Sequence, residues 1–236
     1  MTAKPKGTPR PLRKADLPRP DPELDQRMAQ YDQWVAERKL TFSSKVVPVD
    51  RSLSALQWVL PTEQVLKILG SARRFALTDC ACRTKHNRCD APRDVCLVIN
   101  DYADRFLAQG KAREISLEEA AEKARLADEH GLVHLTLYRP DEHLYALCSC
   151  CSCCCHDLQM MARFNRPEMI AHSDYVARTD PEACSDCGAC VDRCPFGARS
   201  LEDGTLAYDP AACYGCGLCV GVCPEEATVM VRREPA

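Results

Sequence analysis

Hydrophobic and polar positions change their period several times along this chain, and each change marks an element. Leu24, Met28, Tyr31 and Val35, with Trp34 beside them, recur every three or four residues and predict a helix over Leu24–Leu40. Val46-Val47-Pro48-Val49 reads as a short extended segment, and Pro61-Thr62-Glu63 opens a helix through Leu69 that Gly70 closes. Val65, Leu66, Ile68 and Leu69 supply its buried side. Phe75-Ala76-Leu77-Thr78-Asp79 then predicts a strand running directly into Cys80. Ser116-Leu117-Glu118-Glu119 has the form of a capping box, starting a helix that runs to about Glu129 and stops at Gly131. Leu132–Tyr138 alternates like a strand, and cysteines follow it as well, so two strands are expected to deliver two cysteine groups to one place. Helices and strands mixed in this way predict an α+β chain.

Composition adds a boundary at the amino-terminal end. Residues 1–27 hold six prolines among lysines and arginines with few large apolar side chains, too few to offset the entropy of ordering. The expected organisation is an arm and helix over 1–44, a cysteine-rich α+β domain over 45–176 and a smaller domain over 177–236. The first residues carry no apolar segment of signal-peptide type, and no stretch is long enough to span a membrane. Eighteen cysteines without a secretory signal point to metal in a reducing compartment rather than to disulfides, and the expected location is the cytoplasm.

Most of the chemistry lies in the last quarter. Cys184, Cys187, Cys190 and Cys194, followed by Pro195, repeat the spacing of Cys213, Cys216, Cys219 and Cys223, followed by Pro224. Each run reads CxxCxxCxxxCP. Three thiolates three residues apart on a tight loop can converge on one cluster while the fourth points elsewhere. Gly188, Gly215 and Gly217 suit the turns between ligands, and Pro195 and Pro224 suit the first turn of a helix. Glu202-Asp203-Gly204 marks a hairpin in the eighteen residues between the runs. Paired CxxC sequences also bind zinc, but zinc pairs are usually separated by long loops and lack the third step and the CP ending.

On these motifs, residues 180–236 resemble the bacterial 2[4Fe-4S] ferredoxin family. The resemblance implies a C-terminal dicluster ferredoxin domain with two [4Fe-4S] clusters, one on Cys184, Cys187, Cys190 and Cys223 and the other on Cys213, Cys216, Cys219 and Cys194. It also implies a redox partner protein. From Asp180 onward ten acidic residues face four arginines, a formal charge of -6, and such a surface would steer towards a basic partner.

Ten further cysteines fall in two patches. The first is Cys80, Cys82, Cys89 and Cys96; the second is Cys148, Cys150, Cys151, Cys153, Cys154 and Cys155, with His156 following. They exceed what a core needs and are candidate ligands for a further iron–sulfur cluster or zinc. Two cubanes, a zinc site with one cluster, or a cluster of unusual geometry all fit the count. Adjacent cysteines such as Cys150 and Cys151, or Cys153 and Cys154, can serve different metals or bracket one in a turn. The early CxCR, the later CxCC run and the terminal dicluster segment together resemble cysteine-rich 4Fe-4S proteins of anaerobic metabolism. The CxxxCxxC of radical S-adenosylmethionine enzymes and the paired-cysteine-glycine pattern of heterodisulfide-reductase-type domains are absent.

Arg73, Arg74, Arg83, Lys85, Arg88 and Arg93, with His86, surround the first patch, where charge compensation of a negative cluster is the expected role. The run is short and lacks aromatic interleaving, which argues against nucleic acid. His156 is expected beside the thiolates rather than as a ligand, and Phe196, Tyr208 and Tyr214 as packing around the terminal ones. The expected function is iron–sulfur electron transfer, with no conventional acid, base or nucleophile set. An oxidoreductase reacting at the ten-cysteine region and a cluster-based regulator, the latter suggested by a winged-helix-like helix, Gly131 and strand, are the alternatives; no particular small-molecule substrate is indicated.

Overall fold

The computed structural model describes residues 22–37, 44–47, 68–139, 143–164 and 169–233. Residues 1–21 of the expected arm, the extended Pro48-Val49 and residues 61–67 of the helix opening at Pro61 lie outside these residues. The elements in chain order are α1 (Pro22–Ala36), β1 (Ser44–Val47), β2 (Phe75–Thr78), α2 (Ala81–His86), β3 (Cys96–Ile99) and α3 (Asp101–Ala108). There follow β4 (Ala112–Glu114), α4 (Leu117–Glu129), β5 (Val133–Arg139), β6 (His143–Cys150), α5 (His156–Phe164), β7 (Ile170–Ala171) and β8 (Tyr175–Thr179). The chain closes with α6 (Ala189–Arg193), β9 (Arg199–Glu202), β10 (Thr205–Tyr208) and β11 (Thr228–Arg232).

Seven strands form one sheet in the order β4-β2-β3-β6-β5-β1-β7. Its pairings are antiparallel except that of β1 with β7. The period of two sorts the side chains. Ala76, Val98 and Ala146 pack on Ala103 of α3, while Leu77, Leu97, Ile99 and Leu147 pack on Ala120 of α4 and on Leu69. Each fully buried leucine contributes roughly 2 kcal/mol of apolar transfer. Cys148 packs with the Ala76 face, and Cys96 and Cys150 share that face by alternation. The pairing of Leu97 with Leu147 and Val98 with Ala146 continues to bring Cys96 beside Cys148.

The expected cap forms in its first half: the Ser116 hydroxyl accepts from the Glu119 amide, while the Glu119 carboxylate accepts from Arg113, and Gly131 turns the chain with φ +70°. Several expectations are corrected. The stripe on α1 runs through Tyr31, whose hydroxyl donates to Asp157, to the half-buried Trp34 with its ring centroid 5.4 Å from that of Tyr31; Val35 is left in solvent, 41% exposed. Residues 68–71 are helical, so that helix runs one residue past Gly70. The second delivering strand is β6, which carries Cys148 and Cys150 itself, with β5 as its hairpin partner. That partner lies between β6 and β1 in the wide sheet, which is no winged helix.

Beyond the sheet, β8 pairs with β11 and β9 with β10, both antiparallel. Asp203 and Gly204 form the hairpin turn at φ 50° and 82°, the left-handed pair that tight hairpins favour. Pro195 and Pro224 open turns and not helices, because Arg199 and Thr228 must already enter strands. A core joins this region to the sheet: Val133, Leu135, Cys150, Cys155, Leu158 and Ile170 pack with Tyr214, Cys216 and Leu218. Among the described residues no helix is long and apolar enough to cross a membrane.

Candidate metal centres

The two C-terminal runs exchange their fourth cysteines in space. Cys184, Cys187 and Cys190 line one small cavity together with Cys223 of the second run. Gly188, at φ 76°, turns that loop into α6. Cys194 instead joins Cys213, Cys216 and Cys219, all four buried and within one another's electrostatic reach. Burial pushes Cys216 well above the ordinary thiol range and Cys219 up to about 12, the latter opposed by Arg199. Such thiols ionise against a positive metal, so the donor set fits iron. Backbone N–H groups of Phe196, Ala198 and Gly197 stabilise the Cys194 thiolate, although burial raises it overall.

Arg199, which the sequence did not single out, lies between the two sets and is 4% exposed. Its guanidinium donates to Thr179 Oγ1 at 2.8 Å and to Cys190 Sγ at 3.6 Å, and its charge also reaches Cys219. It lies 4.9 Å from the centroid of the Tyr208 ring. The first set is the more open one, with Cys187 exposed and Cys184, Cys190 and Cys223 half-buried. Phe196 stacks on Tyr214 at 4.5 Å, the packing role expected of both.

The ten remaining cysteines separate into two groups that cut across the sequence patches. Cys89, Cys151, Cys153 and Cys154 bring their four sulfurs within 4.8 Å of one another. Cys80, Cys82, Cys96, Cys148, Cys150 and Cys155 line a cavity of about 240 Å³, whose wall Cys151 of the first group also reaches. Their thiols form a chain in which Cys80 meets Cys82 and Cys96, Cys148 meets Cys150 and Cys96, and Cys150 meets Cys155. Hydrogen bonds from Cys82 and Cys96 lower Cys80 below the ordinary thiol range, and those from Cys150 and Cys96 lower Cys148. The donating thiols Cys82, Cys96 and Cys150 move up correspondingly. Adjacent Cys150 and Cys151 thus go to different groups, while Cys153 and Cys154 share one.

Of the basic residues near the first patch, Arg83 has the place expected for compensation. It is 1% exposed, donates to Ser149 O at 2.8 Å and Cys151 Sγ at 3.8 Å, and its charge acts on Cys80 and Cys96. Its Nε and Nη2 have no hydrogen-bond partner among the described residues. Arg73 and Arg74 instead pair with Asp101, Asp104 and Glu114, Lys85 with Glu23, and Arg93 with Asn87. Arg88 donates to Cys153 O and Gln159 Oε1. His156 is buried with its Nε2 3.0 Å from His86 Nε2, beside the six-thiol cavity. Asp157 and Tyr31 complete that wall; burial raises the Asp157 carboxyl to about 6. No sequence pattern announced this wall, because α1 and α5 meet only through tertiary packing.

Residues 176–224, which include all eight cysteines of the two C-terminal runs, match the family model of the 4Fe-4S dicluster domain. No curated protein matches the chain. Fold and donors together define an iron–sulfur protein of α+β architecture. It has a C-terminal ferredoxin-like 4Fe-4S domain and a cysteine-rich region before it.

Proposed function

We propose that this chain is an electron-transfer protein of the bacterial dicluster type, carrying two [4Fe-4S] clusters over about residues 177–236. Cys184, Cys187, Cys190 and Cys223 would hold one cluster, and Cys194, Cys213, Cys216 and Cys219 the other. The observation that carries this reading is the exchange of the fourth cysteine between the runs, which yields two complete four-thiol sets. When bound, such clusters supply one-electron oxidation and reduction. The chain's own residues fix their separation, exclude water from the inner set and direct amides and Arg199 at the thiolates. The exposed Cys187 edge would face a redox partner protein. The cysteine-rich region, over about residues 45–176, would hold a further metal or iron–sulfur centre fused to this domain. Thiols this dense suit a reducing compartment such as the cytoplasm.

The test is iron and acid-labile sulfide on the anaerobically purified full-length protein and two variants. Cys187→Ser and Cys219→Ser should each remove one cluster's worth, about four irons. Unchanged iron in both variants would overturn the assignment.

One observation favours a second reading, an oxidoreductase with its reactive site in the cysteine-rich region. Seven cysteines and the partly unpartnered Arg83 line a cavity with room beside them for a small anion. Spectroscopic shifts of a centre there on adding small anions would support it, and indifference to them would count against it.

A further inference from the structure

We propose that Cys89, Cys151, Cys153 and Cys154 bind a single zinc ion, separately from the iron of this protein. The inference rests on reading the middle cysteines as metal ligands, and it names the metal and divides the ligands. The argument is one of size. Four thiolates about 2.3 Å from a central zinc form a tetrahedron with an edge of about 3.8 Å. A cubane places four irons and four sulfides between its thiolates and holds them about 6 Å apart. Here Cys89 Sγ lies 3.7 Å from Cys151 Sγ, and Cys153 Sγ lies 3.8 Å from Cys154 Sγ. Every other pair is also within 4.8 Å, which fits one ion and leaves no room for a cluster.

The surroundings fit a closed structural site. Ala91, Val95, Ala127 and Leu132 pack around the sulfurs as an apolar shell, save on the side where Cys151 lines the neighbouring cavity and accepts from Arg83 at 3.8 Å. Cys89 arrives from the loop after α2, and the other three come from the turn between β6 and α5. That turn is closed by the Cys155 amide donating to Cys151 O at 3.0 Å, while Arg88, next to Cys89, donates to Cys153 O at 3.0 Å. The ion would therefore tie two distant stretches of chain at one point, with all four positions filled by protein and none open to substrate. Buried cysteines that serve only as apolar packing have no need to bring four sulfurs together.

Zinc and iron on the full-length protein, purified anaerobically, test this directly. The wild type should hold about one zinc per chain, and Cys153→Ser should lose it while iron and sulfide stay unchanged. Cobalt(II) taken up in place of zinc by the wild type should give the visible bands of a tetrahedral tetrathiolate, which keeps the test decisive if the variant fails to fold. Loss of iron from Cys153→Ser, a wild type without zinc, or cobalt bands of another geometry would each overturn the proposal. Failure of the terminal clusters would instead appear as missing iron with the zinc retained.

Discussion

The Arg199 guanidinium, buried between the two C-terminal thiol sets, donates to Cys190 Sγ at 3.6 Å and extends its field to Cys219. A cation there would favour the more negative, reduced form of either proposed cluster. Arg199→Met should lower the reduction potentials by on the order of tens of millivolts, read by anaerobic redox titration. Potentials equal to those of the wild type would remove this role.

The exchange of fourth cysteines predicts which variants share a phenotype. Cys223→Ser should damage the same cluster as Cys187→Ser, and Cys194→Ser the same cluster as Cys219→Ser. Electron paramagnetic resonance of the reduced variants checks the pairing. If Cys223→Ser instead matched Cys219→Ser, each run would serve its own cluster.

Gly215 has φ +72°, and a Cβ built there would lie 1.9 Å from the Tyr175 carbonyl oxygen. Backbone cannot yield as a flexible side chain does, so Gly215→Ala should destabilise the C-terminal region by about 3 kcal/mol or more. It should also reduce iron retention by the inner set. Gly110, with a positive φ of its own, +64°, but open space where its Cβ would be, is the control for the clash alone; Gly110→Ala should leave iron content as in the wild type.

His172 packs against Tyr214 with the rings tilted at 48° and centroids 4.1 Å apart, and its pKa is lowered by burial and then by Arg233. The unfolded chain therefore takes the proton more readily than the folded one. Stability from this residue is present above the ordinary histidine value and is lost as pH falls through the lowered folded value. His172→Gln should flatten that decline. Denaturation of both proteins at about pH 7.5 and 5.5 measures the difference; equal slopes would assign the decline to other groups.

Local patterns carried much of this fold. The cap at Ser116, the stop at Gly131, the strand into Cys80 and the Asp203-Gly204 hairpin are set by residues close in sequence. The two C-terminal runs were legible because their spacing does part of the chemistry. The grouping of the middle cysteines was hidden, because Cys89 meets Cys151 only after β3 and β6 have paired in the sheet. Neither Arg83 nor Arg199 could be told from a surface arginine by sequence, since their burial depends on thiols brought from distant segments.

Cys150, Cys155 and Cys216 belong to one packed core, which joins the cysteine-rich sheet to the inner C-terminal set. Arg193 reinforces the junction by donating to the backbone carbonyls of Asp128 and Glu129 at the end of α4. For the proposed electron transfer this makes the internal step unimolecular, with a rate indifferent to dilution and to salt. The step at the acidic outer edge, where a second protein must arrive, would slow as ionic strength rises. A single chain would thus divide its kinetics into one leg fixed by packing and another governed by encounter.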